Sequence, residues 1–306
     1  MTVEPMRSPN RRHDVPSLYK FLTANVGRIV LQSQQLRWSS PMLFNDPFDV
    51  PREMDLGWTV DDLNQAICHR FTEYLRDVAT PQSPMARLLV GEMRKNLQRM
   101  PEDVAIKILG ITLSVMAPRA VRHRSELLEA WAEKIPRMRI ICFSEIFSSP
   151  VMWAHYAEAH SGIVLEFESS DERDSSWLLA GPVVYRSAKP SLPSVERWAR
   201  AFLSEEAIDW DAYFLEYHYV KDVDWAYERE HRVVSASKDA EAGLFSDYMF
   251  HEDDLRGVIV GTNCAAEDET AVCDLVAHRY PNAIVYRATF DNVSRRIGRT
   301  PLRSTI

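Results

Sequence analysis

The sequence predicts an α+β fold, with a mixed, mainly antiparallel β core and a helical insertion. Three observations lead to it. Short runs rich in β-branched and aromatic residues occur in both halves of the chain. About 75 residues of helical periodicity lie between them. Helices and strands do not alternate at the regular spacing of βαβ units.

The elements follow in order. Residues 1–15, polar and holding Pro5 and Pro9, are expected as a flexible arm. Leu18, Tyr19, Lys20 and Phe21 begin ordered structure, followed by Ile29, Val30 and Leu31 and by Leu36, Arg37, Trp38 and Ser39. These runs are too short for periodicity to separate strand from helix. Phe44-Asn45-Asp46-Pro47-Phe48-Asp49 reads as a sharp turn. From about 60 to 135 the pattern is helical. Leu63, Ile67 and Phe71 recur every four positions behind Asp61 or Asp62 as cap, and Pro81 and Pro84 break the run. Further helices are expected near 85–99, near 102–116 and over 125–135. Ile140, Ile141, Cys142 and Phe143 form an apolar strand ending at Ser144. Ser149 before Pro150 opens a helix carrying Met152, Trp153, His155 and Tyr156, which stops near Gly162. Strands are expected over 163–167, 182–185, 229–234, 255–261 and 283–286, with helices over 194–219 and 265–279. The organisation expected is one domain over 16–290 with its insertion at about 60–135, then a basic tail over 291–306.

The 306 residues are 46% hydrophobic and 26% charged, as in a globular protein. Four cysteines without a C-x-x-C pair suit reduced thiols in a cytoplasmic protein, not a disulfide framework. No secretory pattern opens the chain. The most apolar stretch, 104–117, is too short to span a bilayer and carries Lys107, so no membrane partner is expected. The net charge of −8 is unevenly spread: residues 201–275 hold 19 acidic and 5 basic side chains, which leaves the remainder of the chain positive. This excludes a wholly basic coat protein for nucleic acid. A local contact through the terminal arginines Arg295, Arg296, Arg299 and Arg303 stays open.

Three clusters carry candidate chemistry. In the first, Tyr19 and Lys20 join the loop of Asn45 and Asp46, whose polar groups either face a ligand or only close a rigid turn. In the second, Ser144 leads into the helix of Trp153, His155 and Tyr156, where a flat ring could stack unless these aromatics fill the core. At 100° per residue Trp153, Tyr156 and His160 share one face. His155 and His160 are wrongly spaced for a zinc pair, and no metal is expected. In the third, a strand would place Glu228, Glu230 and Arg232 on one side. Such carboxylates can stabilise positive charge on a sugar ring, or form a solvated charge ladder.

Taken together, Leu18 to Phe21, Phe44 to Asp49, Cys142 to Ser144, Met152 to Tyr156 with His160 and Gly162, and Trp225 to Arg232 resemble a bacterial family known only as domain of unknown function 2971. More distantly, the order of Tyr19 and Lys20, Ser144, Tyr156 and Glu228-Arg229-Glu230 is similar to ADP-ribosyltransferases. That resemblance implies NAD as substrate and a toxin or phage-defence setting. It implies that Glu230 holds a ribose hydroxyl and stabilises the oxocarbenium ion as nicotinamide leaves. Tyr156 or Trp153 would stack on nicotinamide, and Ser144 would support the binding strand. Lys20 stands where the likeness calls for His or Arg, and His155 is the residue that would compensate. The alternative is a non-catalytic module that binds a nucleotide or peptide. No glycine-rich phosphate loop and no Gly-x-Ser-x-Gly elbow is present. The enzymatic reading requires Tyr19, Ser144, Tyr156 and Glu230 to line one cleft. It also requires the acidic block and the basic remainder to meet there.

Overall fold

The computed structural model describes residues 7–97, 101, 103, 104, 107, 110, 111, 117–188 and 192–302. The helix expected near 102–116 lies mostly outside them, as does Arg303. The fold is α+β, with a mixed and mostly antiparallel sheet. The chain divides into two compact units.

The first unit comprises Met1–Pro51, Ile135–Lys189 and His218–Ile306. Its ten-stranded sheet holds β1 (Ser17–Leu22), β2 (Gln35–Ser39), β3 (Met138–Ser144), β4 (Ile163–Glu168), β5 (Gly181–Pro182), β8 (Glu230–Ala236), β9 (Phe245–Met249), β10 (Leu255–Val260), β11 (Ile284–Asp291) and β12 (Arg296–Pro301). Neighbouring strands run β12-β11-β10-β4-β1-β3-β2-β9, with β8 beside β3 and β5 beside β8. The pair β10–β11 is parallel and the other pairs of this sheet are antiparallel. A separate parallel pair joins β6 (Val184–Arg186) to β7 (Val220–Asp222).

The apolar run of β4 is buried on both faces, as a central strand requires. Leu165 and Phe167 join Leu18, Phe143 and Trp177 in one core, and Val164 joins Phe21, Trp153 and Ile259 in another. Helix α1 (Ala24–Ser33) is capped by Thr23. Helix α5 (Pro150–Tyr156) is capped by Ser149 with Pro150 in its first turn, as expected. It ends at Tyr156, short of Gly162. Residues Glu158, Ala159 and His160 then take left-handed backbone angles. Two glycines make this turn possible. A Cβ on Gly162 would lie 2.2 Å from Leu22 O, and one on Gly261 would lie 2.1 Å from His160 O. Helix α8 (Ala266–Arg279) completes the unit's helices.

Other local expectations change as well, and the strand expected over 182–185 is split between β5 and β6. Residues 7–15, expected as part of the arm, are tied down: Arg11 grips Asp171 at 2.9 Å, Arg12 N–H donates to Leu178 O, and His13 is buried. The segment expected as a basic tail forms β12, and Arg299 pairs with the buried Glu166. The strand expected from Arg229 begins at Glu230, because Val223–Glu228 is a 3₁₀ turn closed by Arg229 at φ 46°.

The second unit, Arg52–Lys134 and Pro190–Tyr217, is helical. It holds α2 (Val60–Leu75), α3 (Pro84–Leu97), most of α4 (Ala117–Arg137), α6 (Val195–Phe202) and most of α7 (Trp210–His218). The expected insertion is thus joined by residues 190–217, where two helices stand in place of one. The cap of α2 is Thr59 and not Asp61 or Asp62 as expected; both lie in the first turn, where Asp62 closes a reciprocal box with Thr59. Leu63, Ile67 and Phe71 face the unit's core, as their spacing predicts.

Candidate functional site

The cleft of the first unit arises from how β3 is paired. On one edge β3 follows β8 along its whole length. On the other it touches β1 only at Tyr19–Ser144 and β2 only at Ser39–Ile140. Between these two points β1 and β2 diverge, and a cleft of about 380 Å³ opens against β3, a volume in the small-molecule range.

Tyr19, Lys20, Asn45, Ser144, Tyr156, Glu228 and Glu230 all border this cleft, among the residues expected from the sequence. Lys20 Nζ donates to Cys142 O at 2.8 Å, on the open edge of β3. Among the described residues no carboxylate pairs with Lys20. Asn45 reaches Tyr156 Oη at 3.5 Å. Ser144 is buried, and its hydroxyl donates to Glu228 O at 2.6 Å, which fixes the turn carrying that glutamate. Tyr19 borders the cleft, but its hydroxyl donates to Glu166 Oε1 at 3.1 Å. Burial and the Glu166 charge push the Tyr19 phenol up to about 12.

The floor is an ion cluster. Glu230 and Arg232 are two apart on β8 and so share a face. The Arg232 guanidinium donates to Glu230 at 2.6 and 2.9 Å and to Asp49 at 2.8 and 2.6 Å. His218 O accepts a further bond from it. Lys221, buried on β7, lies 2.5 Å from Glu228 Oε2, 3.2 Å from Glu230 Oε2 and 3.6 Å from Asp49 Oδ2. Glu228 is not on the strand as expected. The left-handed Arg229 turns the chain, and Glu228 reaches Lys221 from the 3₁₀ turn. Its other oxygen accepts from Tyr156 Oη at 2.5 Å.

Burial opposes every charge in this cluster. For Lys221 the charges of Glu230, Asp49 and Glu228 outweigh burial and hold its pKa above the usual lysine range. Burial would raise Glu230, but the charge and hydrogen bonds of Arg232, with Lys221, hold it well below the usual carboxylate range. Glu228 moves the other way: burial, then the charge of Glu230, raises it. Burial and the bond to Glu228 raise the Tyr156 phenol as well.

Four expected residues do not border the cleft. Asp46 is buried and accepts from Phe48 N–H at 2.9 Å, closing the turn. Trp153 is wholly buried against Phe21, its indole N–H donating to Phe147 O at 2.7 Å. His155 is exposed and meets Tyr227 Oη at 3.1 Å. Arg232 lies beneath the cleft, committed to two carboxylates. Two residues not singled out as site residues matter instead, Asp49 and Lys221. Each left a trace in the sequence. Asp49 ends the polar turn loop, and Lys221 is one of five basic residues in the acidic block. Among the described residues no group of three or more His, Cys, Asp or Glu could hold a metal ion. No described helix is long and apolar enough to cross a membrane.

Residues 152–233 match the family described as "Protein of unknown function (DUF2971)". This bears out the resemblance to that family on its later motifs, from Met152 to Arg232. The earlier motifs, at 18–21, 44–49 and 142–144, lie outside the matched segment. No curated protein and no solved structure matches the chain.

Proposed function

We propose that the cleft binds NAD and cleaves its nicotinamide–ribose bond, handing ADP-ribose to water or to another acceptor. One observation carries this reading. The divergence of β1 and β2 gathers Lys20, Tyr156 and the Glu228–Glu230 pair around one small-molecule cleft. Lys20 offers N–H donors to a pyrophosphate oxygen. The Tyr156 and Phe44 rings give the nicotinamide apolar walls. As the C1′–N bond breaks, its electron pair leaves with neutral nicotinamide, and the carboxylate pair stabilises the ribosyl oxocarbenium ion. In hydrolysis, water adds to C1′, and its proton passes to a carboxylate and then to solvent.

Nicotinamide release from NAD, followed by chromatography, tests the reading. The account expects release by the wild-type protein and a loss of at least about 100-fold in Glu228→Gln. No release from the wild type, or equal release from the variant, contradicts it. The second reading is a cleft that binds the nucleotide without cleaving it. The clamping of Glu230 by Arg232 and Lys221 favours that version. It predicts binding heat with no nicotinamide.

A further inference from the structure

Resting on the NAD reading, we infer that Glu228, and not Glu230, carries the charge that meets the substrate, and that the cleft therefore selects a cationic N-ribosyl pyridinium over its neutral dihydropyridine form. Among the described ion pairs, three carboxylates, Asp49, Glu228 and Glu230, meet two cations, Lys221 and Arg232. When all five are ionised, one negative charge is left over.

The hydrogen bonds place that charge. Asp49 and Glu230 each receive two N–H bonds from the buried Arg232 guanidinium, the strongest neutralisation a carboxylate meets in a protein. Glu230 also receives Lys221. Among the described residues Glu228 receives no guanidinium. Its partners are the shared Lys221 ammonium and the neutral Tyr156 hydroxyl. Glu228 is therefore the least neutralised of the three, and its partner Tyr156 is itself part of the cleft wall. Glu230 becomes a positioning residue: it fixes Lys221, which in turn orients Glu228.

A pyridinium ring against Tyr156 would face this excess negative charge, and a neutral dihydronicotinamide would gain nothing from it. The opposite end of the ligand differs little between the two forms, since Lys20 meets the same pyrophosphate. Charge on the ring alone thus separates NAD from NADH.

Calorimetric titration of the full chain with NAD and with NADH tests the inference. The expected result is tighter binding of NAD by about tenfold. The preference should vanish in Glu228→Gln and be retained in Glu228→Asp, which keeps the charge. It should also fade on acidification at a pH above the ordinary glutamate range, since Glu228 is raised. Equal affinity of the wild type for both forms, or a preference kept in Glu228→Gln, would overturn it. If Glu228→Gln does not fold, carboxyl-carbon NMR of the wild type decides. Titration of Glu228 above the usual range is expected, and titration of Glu230 there overturns the assignment. Discrimination without nicotinamide release would contradict cleavage alone. Binding of neither form would contradict both readings.

Discussion

Trp153 and Tyr156 lie three residues apart on α5 and have different roles. Trp153 is fully buried among Phe21, Val164 and Ile259. Tyr156 stands half-buried at the cleft with its hydroxyl on Glu228. Helical spacing puts the two on one face, and that much was legible in the sequence. Which of them reaches a ligand was not, because the helix stops at Tyr156 and β4 and β10 cover Trp153. Asp46 and Asp49 pose the same problem within one loop. Both are acidic and both are buried, yet one closes the turn and the other holds Arg232. Only the position of β8, far away in sequence, distinguishes them. Replacing Trp153 with Ala is expected to lower stability by about 3–5 kcal/mol in chemical denaturation. Tyr156→Ala should weaken nucleotide binding by removing the ring wall of the cleft. Intact stability in Trp153→Ala would contradict the core assignment.

The strands with continuous apolar runs, β3, β4 and β10, could be read from residue type alone. The edge strands β9 and β12 could not. Their exposed residues include Asp247, Met249, Arg296 and Thr300, and pairing with a neighbouring strand defines them, not propensity. The Glu228 turn was hidden for a related reason. A non-glycine residue at φ 46° is uncommon, and nothing in the local pattern at Arg229 announces it.

Strand β8 also carries His231, buried edge-on to His13 with ring centroids 5.2 Å apart. His13 Nδ1 accepts from Val15 N–H at 3.1 Å, and its Nε2 lies 2.9 Å from Trp177 O. Burial, then the charge that His13 would carry, lowers the His231 pKa, against smaller pulls from Glu145 and Glu230. A histidine lowered in the folded state binds fewer protons than the unfolded chain does. Its effect is absent well above the ordinary value of 6.5, and stability is lost as pH falls below it. The melting temperature should therefore drop more between pH 7 and pH 5.5 (roughly the window of the shift) in the wild type than in His231→Phe. Parallel curves would contradict this.

Over the whole molecule, the net charge of −8 conceals two parts of opposite sign. Lys221, Glu228 and Glu230 come from the acidic block, and Lys20 and Arg37 come from the basic remainder. All five border the same cleft. Arg37 is held by Asp247, itself of the acidic block, which leaves Lys20 as the cation best placed for an anionic ligand. The meeting of the two parts was foreseeable as a condition, because a pocket lined only by the acidic block would repel a pyrophosphate. How they meet depends on long-range strand pairing: β8 beside β3, and β1 and β2 splayed along its other edge.

The most direct measurement is a crystal structure of the protein with a carbocyclic NAD analogue whose ring–sugar bond cannot ionise. The account predicts the pyridinium ring beside Tyr156, the ribose at Glu228, and a pyrophosphate oxygen on Lys20. An analogue bound elsewhere, or bound in this cleft with its pyridinium ring turned away from Tyr156, would contradict it.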